Sequence, residues 1–214
     1  MRKGAVHITV ERFIKNLSNV ADTESLKNPY KNPIKARNLF IYLSYMVQMK
    51  PEYMFVGEAP GHLGCALTGI PFTDEYRLSA LGNAGCLPLQ QPGYEIITDP
   101  PTREDSARII WRTLAEKKFY PLLWNIVPFH PHEPNSSHTN RRPTPQELLD
   151  YFRFTGDLLE VVPSIRRELV FALGRESEKM LLRGLGINAP YIRHPARGGG
   201  PKCTSAIYAI AELA

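Results

Sequence analysis

Hydrophobic and polar positions along the chain alternate between short apolar runs and longer stretches with helical periodicity. Four apolar runs have the length of strands, at residues 53–56, 121–127, 168–173 and 189–193. Helical patterns cover residues 10–20, 34–49, about 102–118, 145–162, 175–183 and about 204 to 214. Strands that alternate with helices predict an α/β fold of three αβα layers, with a central, mainly parallel four-stranded sheet.

Two helix starts carry local signals. The segment Thr144-Pro145-Gln146-Glu147 combines an N-cap threonine, a proline at the first helical position and a glutamate at the third. Thr102 followed by Asp105 resembles a weaker capping arrangement. We therefore expect helices to begin at both places.

Length and composition suit one folded unit. The 214 residues are 43% hydrophobic, which predicts a single domain over 1–214 with a helical N-terminal extension, 1–50, and a catalytic core, 51–214. The net charge of +5 is compatible with a polyanionic partner. The apolar run 39–49 is too short to span a bilayer, so we expect no membrane association, and we expect a monomer.

Cysteine usage points to a reducing, intracellular setting, and we expect a cytoplasmic protein. Cys65, Cys86 and Cys203 are isolated in the chain and form no Cys-x-x-Cys pair. A metal site is the alternative for the residues His130, His132, Glu133 and His138, but they lack helical ligand spacing. We predict no metal.

Polar residues at the ends of the predicted strands form the candidate site. Glu58 follows the first strand, Asn125 lies near the end of the second and His194 follows the fourth. Ligands bind at the carboxyl ends of strands in open α/β sheets, so a carboxylate, an amide and an imidazole should meet there. Taken singly, each residue also has a structural interpretation as a turn, cap or packing residue.

The order of several separated motifs resembles the uracil-DNA glycosylase superfamily, most closely its thermostable iron-sulfur branch, from about residue 51 onward. The motifs are Gly57-Glu58-Ala59-Pro60-Gly61, Gly69-Ile70-Pro71-Phe72, Asn125-Ile126-Val127, Asn140-Arg141-Arg142-Pro143-Thr144-Pro145-Gln146-Glu147 and His194-Pro195-Ala196. The resemblance implies an enzyme that flips a base out of DNA into a pocket.

The resemblance also implies roles for single residues. Phe72 would stack on the base and Asn125 would read its edge, and Gly57 and Ala59 would be further base-binding residues in a motif that forms one wall of the pocket. His194 would stabilise negative charge on the departing base. Ala59 occupies the position where the superfamily often has a water-activating aspartate, so Glu58 is the first candidate for that role and Asp74 the second.

The chain departs from the iron-sulfur branch at its cluster ligands. Phe129 and Tyr151 stand where two cluster cysteines are expected, and an N-terminal Cys-x-x-Cys pair is missing. Because cluster assembly requires thiolates, we predict no iron-sulfur cluster and no other cofactor, with apolar and aromatic packing in its structural role.

DNA contacts are expected from loops at the same strand ends. Arg193, Arg197 and Lys202 flank Gly198 and Gly199, where bare backbone can approach phosphates. Arg197 is the candidate for the residue that enters the duplex. Arg141 and Gly61 are the further predicted DNA contacts, with Arg142 beside the former; both arginines are alternatively residues that cap the next helix.

The sequence therefore predicts a monofunctional DNA glycosylase that hydrolyses the N-glycosidic bond of uracil or a related deaminated base, in base excision repair. One alternative is a catalytically silent module that binds uracil-containing or damaged DNA. A second is a hydrolase of small nucleosides.

Overall fold

A computed structural model describes residues 9–214 of the chain, so residues 1–8 of the predicted N-terminal extension lie outside the described part. The strands, numbered in chain order, are β1 (Leu26–Lys27), β2 (Met54–Gly57), β3 (Leu122–Asn125), β4 (His130–Pro131), β5 (Val170–Leu173) and β6 (Tyr191–Ile192). The helices are α1 (Val10–Ser18), α2 (Pro33–Met49), α3 (Cys65–Thr68), α4 (Glu75–Leu78), α5 (Asp105–Lys117), α6 (Pro145–Tyr151), α7 (Arg153–Val161), α8 (Arg175–Leu185) and α9 (Gly200–Ala211).

The central sheet confirms the predicted fold class. Its four strands lie in the order β3-β2-β5-β6, and every neighbouring pair is parallel. Strands β2 and β3 are buried along their whole length, as their uninterrupted apolar sequences predict. Helices flank the sheet: α5 packs against α9, and α1 packs against α2 and α7. Strands β1 and β4 form a separate antiparallel pair.

The N-terminal helices share the core of the sheet. The ring centroid of Phe13 on α1 lies 5.5 Å from that of Trp124 on β3 and 6.3 Å from that of Phe154 on α7. All three side chains are buried. Helix α1 therefore contributes directly to the packing that supports the central strands.

The predicted helix starts have different outcomes. The capping box at α6 is confirmed, because Thr144 and Glu147 each bind the other's backbone N–H. The expected cap at Thr102 is wrong: α5 has Glu104 at its N-cap position, and the Thr102 hydroxyl donates to the carbonyl of Leu63 instead. Long-range contacts replace the local cap.

Two helix boundaries also differ from those expected. The predicted helix at 145–162 is interrupted at Phe152, which separates α6 from α7. The last helix begins at Gly200, four residues earlier than expected, because Pro201 occupies its first turn, where a proline is tolerated. Among residues 9–214, no helix is both long enough and apolar enough to cross a membrane.

Candidate active site

The ends of the parallel strands bring the motif residues to one edge of the sheet. Gly57 is the last residue of β2 and is paired in register with Asn125, the last residue of β3. The motif loop continues directly from Gly57 into Glu58, while His194 lies two residues beyond β6. The topology thus produces the convergence that the sequence predicts.

Gly57 is the point at which two of these side chains meet. A Cβ atom built on Gly57 would collide with the ring of Phe72 and would lie 2.6 Å from Oδ1 of Asn125. Phe72 is held there with a positive φ of 55°, a conformation that non-glycine residues rarely adopt. A glycine is therefore required for the aromatic ring and the carboxamide to converge.

The Asn125 side chain is buried, with only 3% of its surface exposed. Within residues 9–214, its carboxamide forms no side-chain hydrogen bond with another residue. A buried amide usually has hydrogen-bonding partners, so its free donor and acceptor are available to a ligand.

His194 lies beside the same cluster. Its ring centroid is 5.9 Å from that of Phe72, and its Nδ1 accepts a hydrogen bond of 3.2 Å from the backbone N–H of Ala196. Burial, with a smaller contribution from Arg193, lowers the pKa of His194 to about 4. The imidazole is therefore neutral near pH 7 and carries its proton on Nε2, where it can donate a hydrogen bond.

An open cleft of about 310 Å³ runs across these strand ends. Glu58, Ala59, Gly61, His194 and Arg197 are among the residues that line it. Burial raises the pKa of the Glu58 carboxyl, with Glu176 adding to the effect and Arg142 and Arg197 opposing it. The cleft thus contains a carboxylate, a neutral imidazole and several cations.

Comparison with known protein families shows the family of the chain. The family model of the uracil DNA glycosylase superfamily matches residues 44–208, well over half of the chain. The chain belongs to the uracil-DNA glycosylase superfamily. Its members are DNA glycosylases, hydrolases of DNA repair, so DNA is the partner that the family implies.

A solved structure has the same fold. The chain is similar to wild-type SMUG2 from Pedobacter heparinus, with a TM-score of 0.66 over 95% of this chain and 97% of that chain. The two sequences are 16% identical, so the likeness concerns the fold. No curated protein sequence matches the chain significantly.

Asp74 is the second candidate for the residue that activates water. Both of its carboxylate oxygens accept hydrogen bonds from the backbone. Its Oδ1 accepts a hydrogen bond from the backbone N–H of Arg77, and its Oδ2 accepts one from the backbone N–H of Glu104. The side chain is 1% exposed. Asp74 therefore joins the start of α4 to the start of α5, and a catalytic role for this residue stays a prediction.

The loop after His194 turns tightly, with Gly199 buried and its neighbours Arg197 and Gly198 at the surface. Arg197 and Gly198 have positive φ values of 53° and 74°, and a Cβ on Gly199 would collide with the carbonyl of His194. Arg197 and Gly198 are exposed, as is Lys202 in the first turn of α9. Arg193 supports the loop through a hydrogen bond of 3.4 Å from Nη2 to the carbonyl of Arg197.

Arg141 and Arg142 have different environments. The guanidinium of Arg141 is engaged within the protein: Nη1 and Nη2 donate to Glu147, Nε donates to the carbonyl of His132, and Nη2 also donates to that of Ser25. Arg141 also lines the cleft, so its predicted DNA contact stays a prediction beside this structural role. Arg142 is exposed beside it and lines the cleft.

Two further features of the cleft were missed in the sequence. Helix α8 begins at Gly174 without a side-chain cap, and Gly174, Arg175 and Glu176 line the cleft. Glu104 contacts the motif loop from a position more than forty residues away. A strand followed by glycine could have indicated the first feature, but no local pattern indicates the second.

The side chains at the expected cluster positions do not fit an iron-sulfur cluster. The rings of Phe129 and Tyr151 pack edge to face with centroids 4.8 Å apart, and the three cysteines are buried and free. The nitrogens of His130 contact the backbone carbonyls of Pro60 and Ser137. Within residues 9–214, no group of three or more His, Cys, Asp or Glu side chains is arranged to hold a metal ion.

Proposed function

We propose that this chain is a monofunctional DNA glycosylase that removes uracil or a related deaminated base from DNA. The observation that carries the proposal is the meeting of Phe72 and Asn125 over Gly57, with His194 beside the phenyl ring. Such a cluster supplies a stacking surface, an edge-reading amide and a hydrogen-bond donor, the three groups that a flipped base requires.

Base recognition would depend on Phe72 and Asn125. The amide of Asn125 can donate to O4 of uracil while it accepts from N3–H. Cytosine reverses this pattern, because it presents an amino donor and an unprotonated N3. A wrong base would leave buried polar groups unpaired, which discriminates strongly against it.

His194 would act on the leaving base. When the bond between C1′ and N1 breaks, the electron pair leaves with the base and the sugar becomes oxocarbenium-like. The Nε2–H of neutral His194 can donate to O2 of the uracil anion and stabilise it. Because its pKa is about 4, the imidazole stays a neutral donor across the physiological pH range.

Glu58 is the carboxylate that we propose to orient the attacking water. It lines the cleft, whereas both oxygens of Asp74 bind backbone N–H groups. An ionised Glu58 would also stabilise positive charge at C1′. The oxygen of water then bonds to C1′, and its proton passes to the carboxylate or to solvent.

DNA would contact the basic rim of the cleft. Arg142, Arg175 and Arg197 line it, and the uncapped start of α8 adds backbone N–H groups. Arg175 also lies 3.8 Å from the ring of Tyr191, which orients its guanidinium. Arginines and helix starts suit phosphate groups. Gly198 and Lys202 extend this surface, whereas Gly199 is buried beneath it, and Arg197 is the residue proposed to enter the duplex.

A panel of modified oligonucleotides tests the proposal. Purified protein is incubated with single- and double-stranded DNA containing uracil, hypoxanthine or xanthine, and abasic sites are revealed by alkaline cleavage. We expect cleavage at uracil or another deaminated base, and none with Asn125→Ala. The matched control is Asn188→Ala, at an exposed asparagine before β6.

Two other results would contradict the assignment of the chain as a glycosylase. Saturable binding of the modified DNA without an abasic product would identify a silent binding module. Cleavage of free deoxyuridine with weak salt dependence would identify a nucleoside hydrolase, because phosphate contacts make DNA binding strongly salt-dependent.

A further inference from the structure

Glu104 is a partly buried acid that the proposed chemistry does not use. Its backbone N–H donates to Oδ2 of Asp74 at 2.7 Å, which fixes the start of α5. Its side chain reaches the motif loop: Cβ atoms built on Gly61 and Gly64 would both collide with its carboxyl oxygens. The two glycines thus form a cradle that the carboxyl group of Glu104 fills.

The groups around this carboxyl do not favour its ionised form. Asp74 faces it from the start of α4, Asp105 lies next to it on α5, and the buried thiol of Cys65 faces it from α3. Arg103 precedes it, but the guanidinium of Arg103 stacks 3.6 Å from the ring of Tyr76. The Glu104 carboxyl forms no hydrogen bond with any side chain or backbone group in residues 9–214.

Burial, followed by Asp74 and Asp105, raises the pKa of Glu104 to about 7. An ionised carboxyl in this cradle would lack both a counter-charge and hydrogen-bond donors, which is costly. Outward rotation of the side chain would relieve that cost and empty the cradle. Gly61, which lines the cleft, would then lose the group packed behind it.

We propose that Glu104 is a positioning residue for base excision: its neutral carboxyl holds the Gly61 wall of the cleft in place, and its ionisation releases that wall. The inference rests on the proposed glycosylase function. The rate of base excision should therefore decline as the pH rises through neutrality. The group whose ionisation causes this decline touches neither the base nor the sugar.

The test compares single-turnover rates of uracil release between pH 5.5 and 9 for the wild type and three variants. Glu104→Gln keeps a neutral group in the cradle, Glu104→Ala empties it, and Glu160→Gln changes an exposed acid on α7 as the control. The wild type and the control should lose about tenfold in rate across neutrality. Glu104→Gln should lose less than about twofold, and Glu104→Ala should be slow at every pH.

Retention of the wild-type alkaline decline by Glu104→Gln would overturn the proposal. If even the wild type releases no base, the glycosylase assignment fails instead, and thermal unfolding decides the state of Glu104. The folded state holds the proton up to about pH 7, whereas the ordinary pKa is 4.5. The wild-type melting temperature should therefore fall as pH rises through that window, and Glu104→Gln should remove this fall. If the melting temperature of Glu104→Gln falls with pH as much as that of the wild type, the proposed neutral carboxyl in the cradle is contradicted.

Discussion

At the scale of one residue, the site depends on the absence of a Cβ atom at Gly57. A hydrogen atom in place of a methyl group leaves room for the Phe72 ring and the Asn125 amide. The sequence indicates that a glycine ends the strand, but not which side chains approach it. Those contacts join positions 15 and 68 residues further along the chain.

We predict that Gly57→Ala will reduce uracil release by at least about 100-fold, because the new Cβ displaces the two side chains proposed to read the base. Binding of DNA through phosphate contacts should persist. Rates on a uracil oligonucleotide and affinity for abasic-site DNA measure the two effects. The control is Gly156→Ala on α7, where the nearest atom to the added Cβ is a leucine methyl group; a similar loss of rate in it would contradict the prediction.

His194 provides a second prediction at this scale. His194→Ala should lower the rate of base release by roughly 100- to 1,000-fold with little change in DNA affinity, because it removes the donor proposed to stabilise the departing base in the transition state. His194→Gln keeps an N–H donor and should recover part of that loss. Because the folded pKa of about 4 lies below the ordinary value, His194 should disfavour folding increasingly as pH falls from about 6.5 towards 4. If the rate falls as the pH is lowered, with an apparent pKa of 6 to 7, and does so only in proteins that retain His194, the neutral donor is contradicted.

The connection between elements is clearest where α6 begins. The guanidinium of Arg141 joins Glu147 on α6 to backbone carbonyls beside the β1–β4 pair. Burial opposes ionisation of Glu147, but hydrogen bonds from Arg141 and Thr144 lower its pKa overall. The capping box could be predicted because it is local, whereas the arginine contacts at Ser25 and His132 are not.

We predict that substitution of two neighbouring arginines affects different properties, stability in one case and DNA binding in the other. Arg141→Ala should destabilise the fold by about 2–4 kcal/mol, because it leaves a half-buried carboxylate and several carbonyls unpaired. Arg142→Ala should leave stability unchanged within about 0.5 kcal/mol and weaken DNA binding, with a smaller salt dependence. Urea unfolding and DNA titrations at several salt concentrations measure both. Equal stability losses in the two variants would contradict the division of roles.

The whole molecule is joined by an aromatic cluster between the N-terminal helices and the sheet. Phe129 packs edge to face on Tyr151 and Phe154, with centroid distances of 4.8 and 5.7 Å, and Phe154 contacts Phe13 on α1. Burial of such rings contributes strongly to stability. This packing lies at the positions where the iron-sulfur branch is expected to have cluster ligands, in keeping with the role proposed for it.

We predict that Phe129→Ala will destabilise the protein by about 3–5 kcal/mol, because the cavity it leaves lies among buried rings. Phe40→Ala, at a side chain that is 37% exposed, should cost far less. Thermal or urea unfolding measures the difference. Unfolding should be insensitive to iron chelators, and iron bound to purified protein would contradict the proposed role of aromatic packing.

The sequence by itself determined the four strands of the central sheet, the main helices, the α/β class and the family, because periodicity and separated motifs are local properties of the chain. It also indicated Gly57, Phe72, Asn125 and His194 as a possible cluster, since parallel strands end at one edge. It did not indicate the short elements β1, β4, α3 and α4. Only the tertiary structure decided which charged groups are free. Asp74 and Arg141 bind distant backbone groups, and Glu104 fills a cradle made by two glycines. These outcomes depend on contacts between segments far apart in sequence, which no local pattern records.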